Sequence, residues 1–252
     1  MCRFFSGIQT KSGVLFDLWD DSHEDIVKSN KLDDKTREPD FVRLELIPKK
    51  EPWNQDPANW ELVVDQDTRP SWFSKEFARR DMWEALQKLW KETLILGQEL
   101  DEVKDRRVRW VVDSKIQKLS GTSQVGEMWG TSQVGEMRDT SQVGEMRDTS
   151  RVGEMRGTSR VGEMRDTSRV GVMRGTSRVG EMWDTSQVGE MRDTSRVGEM
   201  WDTSQVGEMN DSSFTMSRVN NKPIITTPNK EMKIKIFKPK KEVKKWSGQI
   251  LT

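Results

Sequence analysis

A nine-residue unit repeats ten times without interruption, and this repeat constrains the fold more than any other feature of the chain. The first unit begins at Gly121 and reads Gly-Thr-Ser-Gln-Val-Gly-Glu-Met-Trp, and the last unit ends at Asn210. Thr, Ser, Val, Gly and Met never change at positions two, three, five, six and eight. Position one is Gly or Asp, position four is Gln or Arg, and position seven is Glu except at Val172. Short identical units predict a solenoid in which each unit packs on its neighbours.

A helix and a disordered segment are the alternatives to a solenoid. Nine residues turn an α-helix by about 900°, so successive units would face opposite sides and form no single apolar stripe. Disorder remains an alternative because few residues of the unit are strongly apolar. The strict placement of Val and Met favours a β-solenoid, in which the same side chain is buried in every coil.

We predict two units, or about 18 residues, per coil, because a coil of about nine residues encloses too little interior. Ten units then form about five coils, about 24 Å long at the usual strand spacing. We expect Val125, Met128 and Ser123, with their equivalents, to point inward. Gly126 and position one are expected at corners, and Glu127 and positions four and nine are expected to point outward.

The chain divides into three predicted parts. Residues 1–112 read as a small α+β domain of order β-β-α-β-β-α, whose long helix begins near Pro70 and packs on an antiparallel sheet. Gly97 either ends that helix or interrupts it before Glu99–Lys104. Residues 113–220 are the solenoid with degenerate caps. Residues 221–252 are a C-terminal strand and basic tail, and the strand is expected to cover the open edge of the last coil.

Composition excludes several classes of protein. The chain carries 42 basic and 42 acidic residues. Residues 1–120 carry 21 basic and 24 acidic residues, the repeats carry 11 basic and 15 acidic residues, and residues 211–252 carry 10 basic and 3 acidic residues. Cys2 and His23 are the single cysteine and the single histidine, so an intrachain disulfide or a zinc site of four Cys/His ligands cannot form. No apolar run approaches the ~20 residues of a membrane helix. We therefore predict a cytoplasmic protein with no cofactor and no metal.

Position nine supplies the candidate binding surface. With 18 residues per coil it forms two columns, in which Arg and Trp can stack about 4.8 Å apart and make cation–π contacts. Such columns either bind a nucleic-acid strand or an acidic partner, or are neutralised by columns of the Glu127 and Asp139 type. The candidates are these columns and the basic tail: Trp129, Arg138, Arg147, Arg156, Arg165, Arg174, Trp183, Arg192, Trp201, Lys240, Lys241, Lys244 and Lys245.

His23 is the only imidazole available as a catalytic base. It follows Ser22, which with Asp25 resembles a capping box, and we expect it to be an exposed residue of the capping turn. Asp65-Gln66-Asp67 lacks the Gly and the later Glu of a calcium loop, so we expect a turn there. No spacing supports a specific reaction, and no catalytic residue is predicted.

Four segments carry a resemblance to a known family: Phe4–Gly13, Asp21–Asp25, Phe41–Glu45 and Asn59–Phe73. The first 110 residues or so thereby resemble a family of uncharacterised phage and metagenome-derived proteins, whose members often continue into short regular repeats. The resemblance brings no known activity and no catalytic residues. It implies a phage protein that acts in the cytoplasm of a bacterial host.

Three functions remain as hypotheses. We favour a non-enzymatic binding or scaffolding protein that uses its repetitive surface to engage a host protein. The first alternative is nucleic-acid binding through the Arg/Trp column and the basic tail. The second is an enzyme with its site in the N-terminal domain. Homo-oligomers through the open solenoid ends are a further expectation, because unpaired strand edges can stack between molecules.

Overall fold

The structure is a computed structural model, and it describes residues 4–33, 40–210, 212–219 and 222–226. Its contacts divide the chain into two compact units between Ile95 and Leu96. The first unit combines an antiparallel sheet with helices, and the second is a β-solenoid with parallel sheets. The predicted fold class, an α+β region followed by a β-solenoid, is therefore confirmed.

The N-terminal unit has the predicted order β-β-α-β-β-α. Its four-stranded antiparallel sheet has the order β2-β1-β3-β4, and a short 3₁₀ turn, Pro57–Asn59, precedes the last strand. The elements are β1 Phe5–Thr10, β2 Gly13–Leu15, α1 His23–Ser29, β3 Val42–Pro48, β4 Trp60–Val64 and α2 Lys75–Thr93. Ser22 caps α1 as predicted, because its hydroxyl accepts a hydrogen bond from the Asp25 amide.

Helix α2 buries one face, and one of the two alternatives for its C-terminal end is wrong. Met82, Leu86 and Leu89 are almost fully buried at helical spacing, whereas Phe77 of the same helix is 58% exposed. The helix ends at Thr93, and the segment Glu99–Lys104 is a strand, not a continuation of the helix. Gly97 has a φ of 61°, a conformation that a helix does not contain.

The solenoid consists of two sheets of parallel strands, joined at their edges by short turns. One sheet has the order β18-β16-β14-β12-β10-β8-β6, and the other has the order β20-β19-β17-β15-β13-β11-β9-β7-β5. The strands are β5 Leu94–Leu96, β6 Glu99–Lys104, β7 Arg107–Val112, β8 Lys115–Ser120, β9 Gln124–Trp129, β10 Gln133–Met137, β11 Gln142–Met146, β12 Arg151–Met155, β13 Arg160–Met164, β14 Arg169–Met173, β15 Arg178–Met182, β16 Gln187–Met191, β17 Arg196–Met200, β18 Gln205–Met209, β19 Phe214–Val219 and β20 Lys222–Thr226.

Each coil contains two repeat units, as predicted. Val125 pairs with Val143 and Met128 with Met146, so equivalent residues lie 18 positions apart in adjacent strands of one sheet. The Val and Met side chains are buried through most of the stack, and the serines at position three lie inside with them. Burying the same apolar side chain in every coil gives the solenoid a continuous core.

The corner prediction is right for position one and wrong for position six. Asp139 and Gly157 have φ values of 58° and 65°, and they lie in turns where the chain crosses from one sheet to the other. Gly126 has no positive φ and lies inside β9. Glycine is required there because a Cβ on Gly126 would approach the carbonyl oxygen of Arg109 within 2.6 Å.

The parallel ladder extends beyond the repeats at both ends. In β6, Leu100 and Val103 lie opposite Ile116 and Leu119 of β8, so the ladder begins before residue 113, the predicted start of the solenoid. At the other end, β19 pairs in parallel with β17, and β20 is antiparallel to β19 and covers its open edge. The strand predicted to cover this edge, at 232–237, lies outside the described residues.

Candidate functional site

The first position-nine column forms the stack that an 18-residue coil predicts. The Arg147 guanidinium lies 4.6 Å from the ring centroid of Trp129, and that of Arg165 lies 5.7 Å from Trp183. The rings of Trp183 and Trp201 are stacked 4.9 Å apart and 7° from parallel. These five half-buried side chains therefore form a continuous aromatic and cationic ridge along one edge of the solenoid.

The second position-nine column is a ladder of ion pairs. Arg156 contacts Glu136 of the preceding coil at 2.9 Å and Glu154 of its own coil at 2.8 Å, and Arg174 contacts Glu154 at 2.6 Å. The hydrogen bond from Arg156 is the largest of the effects that lower the pKa of the Glu154 carboxyl, and it outweighs the opposing effect of burial. Glu136 and Glu154 thus each join two coils as well as neutralising an arginine.

Arginines in the aromatic ridge are neutralised in the same way. Arg165 lies 2.7 Å from both Glu145 and Glu163, which belong to the preceding coil and to its own coil. Of the two sequence hypotheses for position nine, neutralisation by the Glu127-type column therefore describes these contacts. Whether the columns also bind a partner is a separate question.

The aspartates at position one accept hydrogen bonds from backbone amides of the neighbouring coil. Asp166 accepts a hydrogen bond from the amide of Asp148 at 3.1 Å, and Asp139 accepts one from the amide of Gly121 at 3.0 Å. The hydroxyl of Thr158 donates to the carbonyl of Asp139 in the preceding coil at 3.0 Å. The corners of successive coils are therefore joined by side chains as well as by the sheets.

Position four contains the charged residues that the sequence analysis did not select. Arg160, Arg178 and Arg196 are adjacent in one sheet, Arg151 and Arg169 are adjacent in the other, and all five are exposed. Among the described residues, Arg151, Arg160, Arg169 and Arg178 have no ion-pair partner within 4.0 Å. The signal was in the sequence, because position four is Arg in four consecutive units, whereas Gln occupies it in most of the others.

The remaining candidate binding residues have no structural description. The predicted basic tail, with Lys240, Lys241, Lys244 and Lys245, lies outside the described residues. Cys2 lies outside them as well. No contact is therefore assigned to either.

His23 is buried, so its predicted exposure is wrong. It is 5% exposed at the first position of α1, where its Nε2 donates a hydrogen bond to the Leu44 carbonyl at 2.9 Å. Its Nδ1 lies 3.4 Å from Oδ2 of Asp65. The nearby Glu45 carboxylate completes a group of three potential ligand atoms within 4.8 Å of one another. Sequence spacing could not reveal this group, because α1, β3 and the end of β4 each contribute one residue.

No family model, no curated protein and no solved structure matches this chain. Within the ranges that the structure describes, neither helix combines the length and the apolar character needed to cross a membrane. The evidence on function therefore comes from the surface residues of the chain.

Proposed function

We propose that this protein is a non-enzymatic binding protein whose solenoid engages a protein partner through the position-four arginines. The observation that carries the proposal is the stacking of Arg160 on Arg178 and of Arg151 on Arg169 without ion-pair partners among the described residues. Like charges at the ~4.8 Å strand spacing destabilise a sheet. A partner that presents carboxylates would offset this repulsion on binding.

The pattern of charge around these arginines favours a protein partner over nucleic acid. The repeats carry more acidic than basic residues, and columns of Glu and Asp run beside the arginines. A phosphate backbone would meet these carboxylates along its whole length, whereas a protein surface can present both signs of charge. If the chain is phage-encoded, as its N-terminal resemblance implies, a host protein is the expected target.

The test uses substitutions that the repeat itself already contains. Gln occupies position four in other units, for example Gln142, so Arg160→Gln with Arg178→Gln is expected to preserve the fold. A second variant, Arg151→Gln with Arg169→Gln, changes the other sheet. The matched control, Arg138→Gln with Arg156→Gln, removes the same charge from arginines that are paired with Glu136.

The measurement is affinity purification from bacterial lysate with each variant, followed by titration of the purified partner. We expect one position-four variant to lose binding at least about 10-fold, as the loss of central interface arginines typically does, while the control binds as the original does. Equal binding by all three variants contradicts the proposal. Loss in the control alone would assign binding to the position-nine columns instead.

Nucleic-acid binding is a second candidate because of the aromatic ridge. The parallel rings of Trp183 and Trp201 are half-buried and resemble the stacking platforms on which single-stranded bases pack. The ratio of absorbance at 260 and 280 nm, measured after purification at low and then at high salt, separates the two candidates. A ratio that is raised at low salt and falls at high salt favours nucleic acid.

A further inference from the structure

The group formed by His23, Glu45 and Asp65 has no part in the proposed binding function, and its geometry suggests a second site. His23 begins α1, Glu45 lies in β3, and Asp65 directly follows β4. Glu45 pairs with Val63, and because strand side chains alternate, Asp65 lies two positions further on the same face of the sheet. The fold therefore brings an imidazole and two carboxylates to one point.

The hydrogen bond to Leu44 fixes the orientation and the tautomer of the histidine ring. A carbonyl oxygen can only accept, so Nε2 carries the proton, and in a neutral imidazole the lone pair is then on Nδ1. That Nδ1 is the ring atom nearest the Asp65 carboxylate. Histidines that bind metals usually donate their second ring N–H to a carbonyl or carboxylate, and this is the arrangement at Leu44.

Glu45 gives an independent indication of a missing positive charge. Glu45 as a whole residue is 7% exposed, and its side chain makes no hydrogen bond or ion pair with another described residue. A buried carboxylate is costly unless a cation or a hydrogen-bond donor compensates it. This carboxylate is directed at His23 and Asp65, where a cation would compensate it.

We propose that His23 Nδ1, Glu45 and Asp65 bind a divalent transition-metal ion, with Zn²⁺ as the best fit. Zinc bonds of about 2.0–2.1 Å to nitrogen and oxygen place neighbouring ligands of a tetrahedral site ~3.3 Å apart. The observed Nδ1–Oδ2 distance of 3.4 Å matches this value. The Asp65 side chain is 59% exposed, so a fourth ligand can come from water.

The sequence predicts no metal site, because it contains neither a cluster rich in Cys and His nor a complete calcium loop. The mixed set of one imidazole and two carboxylates suits zinc and related first-row ions, and it contains no sulfur. The three ligands lie in three different segments of the chain, so no motif of fixed spacing in the sequence predicts them.

The experiment uses the full chain without a histidine tag, stripped of metal with a chelator and then titrated with Zn²⁺. Because His23 is the only histidine of the sequence, the imidazole signals in a ¹⁵N NMR spectrum come from this ring, and no resonance assignment is needed. We expect one equivalent of Zn²⁺ to shift the Nδ1 resonance while Nε2 keeps its proton. Calorimetry should give a stoichiometry of one ion per chain.

Two exposed aspartates of one loop provide the variant and its control. Asp65→Asn removes a ligand, whereas Asp67→Asn removes the same charge from an exposed residue outside the group. We expect Asp65→Asn to weaken zinc binding more than about 100-fold, beyond the ~10–100-fold typical of outer-shell partners, and Asp67→Asn to bind normally.

Two outcomes would overturn the site, and neither depends on how a variant folds. The first is a wild-type Nδ1 resonance that stays unchanged with excess Zn²⁺. The second is a stripped protein in which both ring nitrogens are protonated and remain so after zinc is added, because His23 would then be an imidazolium held between two carboxylates. Equal weakening by the two aspartate variants would likewise contradict a specific site.

Discussion

At the scale of single residues, two glycines of one repeat have opposite roles. Gly157, at position one, has a positive φ, and other units place Asp there with nearly the same φ, as at Asp166. Gly162, at position six, lies in a strand, and a Cβ on it would overlap the carbonyl oxygen of Gly144. The first glycine is thus replaceable and the second is fixed by the close approach of two backbones.

We predict that Gly157→Asp stabilises the solenoid. In the neighbouring column the Asp184 carboxylate accepts a hydrogen bond from the amide of Asp166, and an aspartate at 157 would offer the same bond to the amide of Asp139. One added hydrogen bond contributes about 0.5–1.5 kcal/mol. Chemical denaturation should show an unfolding midpoint at higher denaturant and an unchanged slope.

Gly162→Ala is expected to act in the opposite direction. Forcing a methyl group against the backbone of the preceding coil should cost about 1–3 kcal/mol. The same denaturation measurement applies, with Gly157→Asp as the comparison, because other units already hold Asp at that position with nearly the same φ. A smaller loss at 162 than at 157 would contradict the assignment of position six.

At the scale of elements, the ladder of glutamate and arginine connects coils that the sheets already pair. The pKa values of Glu154 and Glu190 are lowered below the usual 4.5, in both cases chiefly by hydrogen bonds from the arginines two residues later. A lowered folded-state pKa means that the carboxylate stabilises the fold fully above the unfolded-state pKa. That stabilisation is lost as the pH falls through the lower folded-state value.

The solenoid should therefore lose stability as the pH falls below about 4.5, the unshifted value for glutamate. The measurement is the melting temperature of the solenoid between pH 7 and pH 3. A variant with Glu154→Gln and Glu190→Gln should start from a lower stability and lose less of it over this window. Parallel pH curves for the two proteins would show that the ladder does not contribute.

The pairing of equivalent residues 18 positions apart predicts a difference between two deletions. Removing 157–174, which is two units, keeps every remaining strand in its sheet. Removing 166–174, which is one unit, moves all later strands to the opposite sheet, together with Trp183, Trp201 and the closing strands. We expect the shorter deletion to lower the melting temperature more, although it removes fewer residues, and equal melting temperatures would contradict this account.

The repeats, but not their surroundings, could be predicted from sequence. Identical spacing of Val and Met restricts the coil to a whole number of units, and two units are favoured over one because a single unit encloses too little interior. The first coils could not be predicted in this way. Glu99 pairs with Lys115, which is only 16 residues later, and Leu, Ile and Val occupy the buried positions that Val and Met occupy in the repeats. The burial of His23 depends on β3 meeting β4, a long-range pairing that no local pattern specifies.

At the scale of the whole molecule, the two units have separate cores. Met82 and Leu86 belong to the N-terminal unit, and the columns of Val and Met belong to the solenoid. We therefore predict that 1–93 and 94–252, a division that keeps β5 whole, fold when expressed separately. Circular dichroism should show helix in the first fragment only, with cooperative melting of both, and a fragment that fails to melt cooperatively would contradict the division.

The dependence of each coil on its neighbours alone has a mechanical consequence. If the chain is pulled from its C-terminal end, the last coil is always the one with a single neighbour, so coils should peel away in order. Every step frees the same 18 residues, which extend to about 60 Å when fully stretched. A plot of force against extension should then show evenly spaced peaks, so the solenoid would lengthen in steps of equal size.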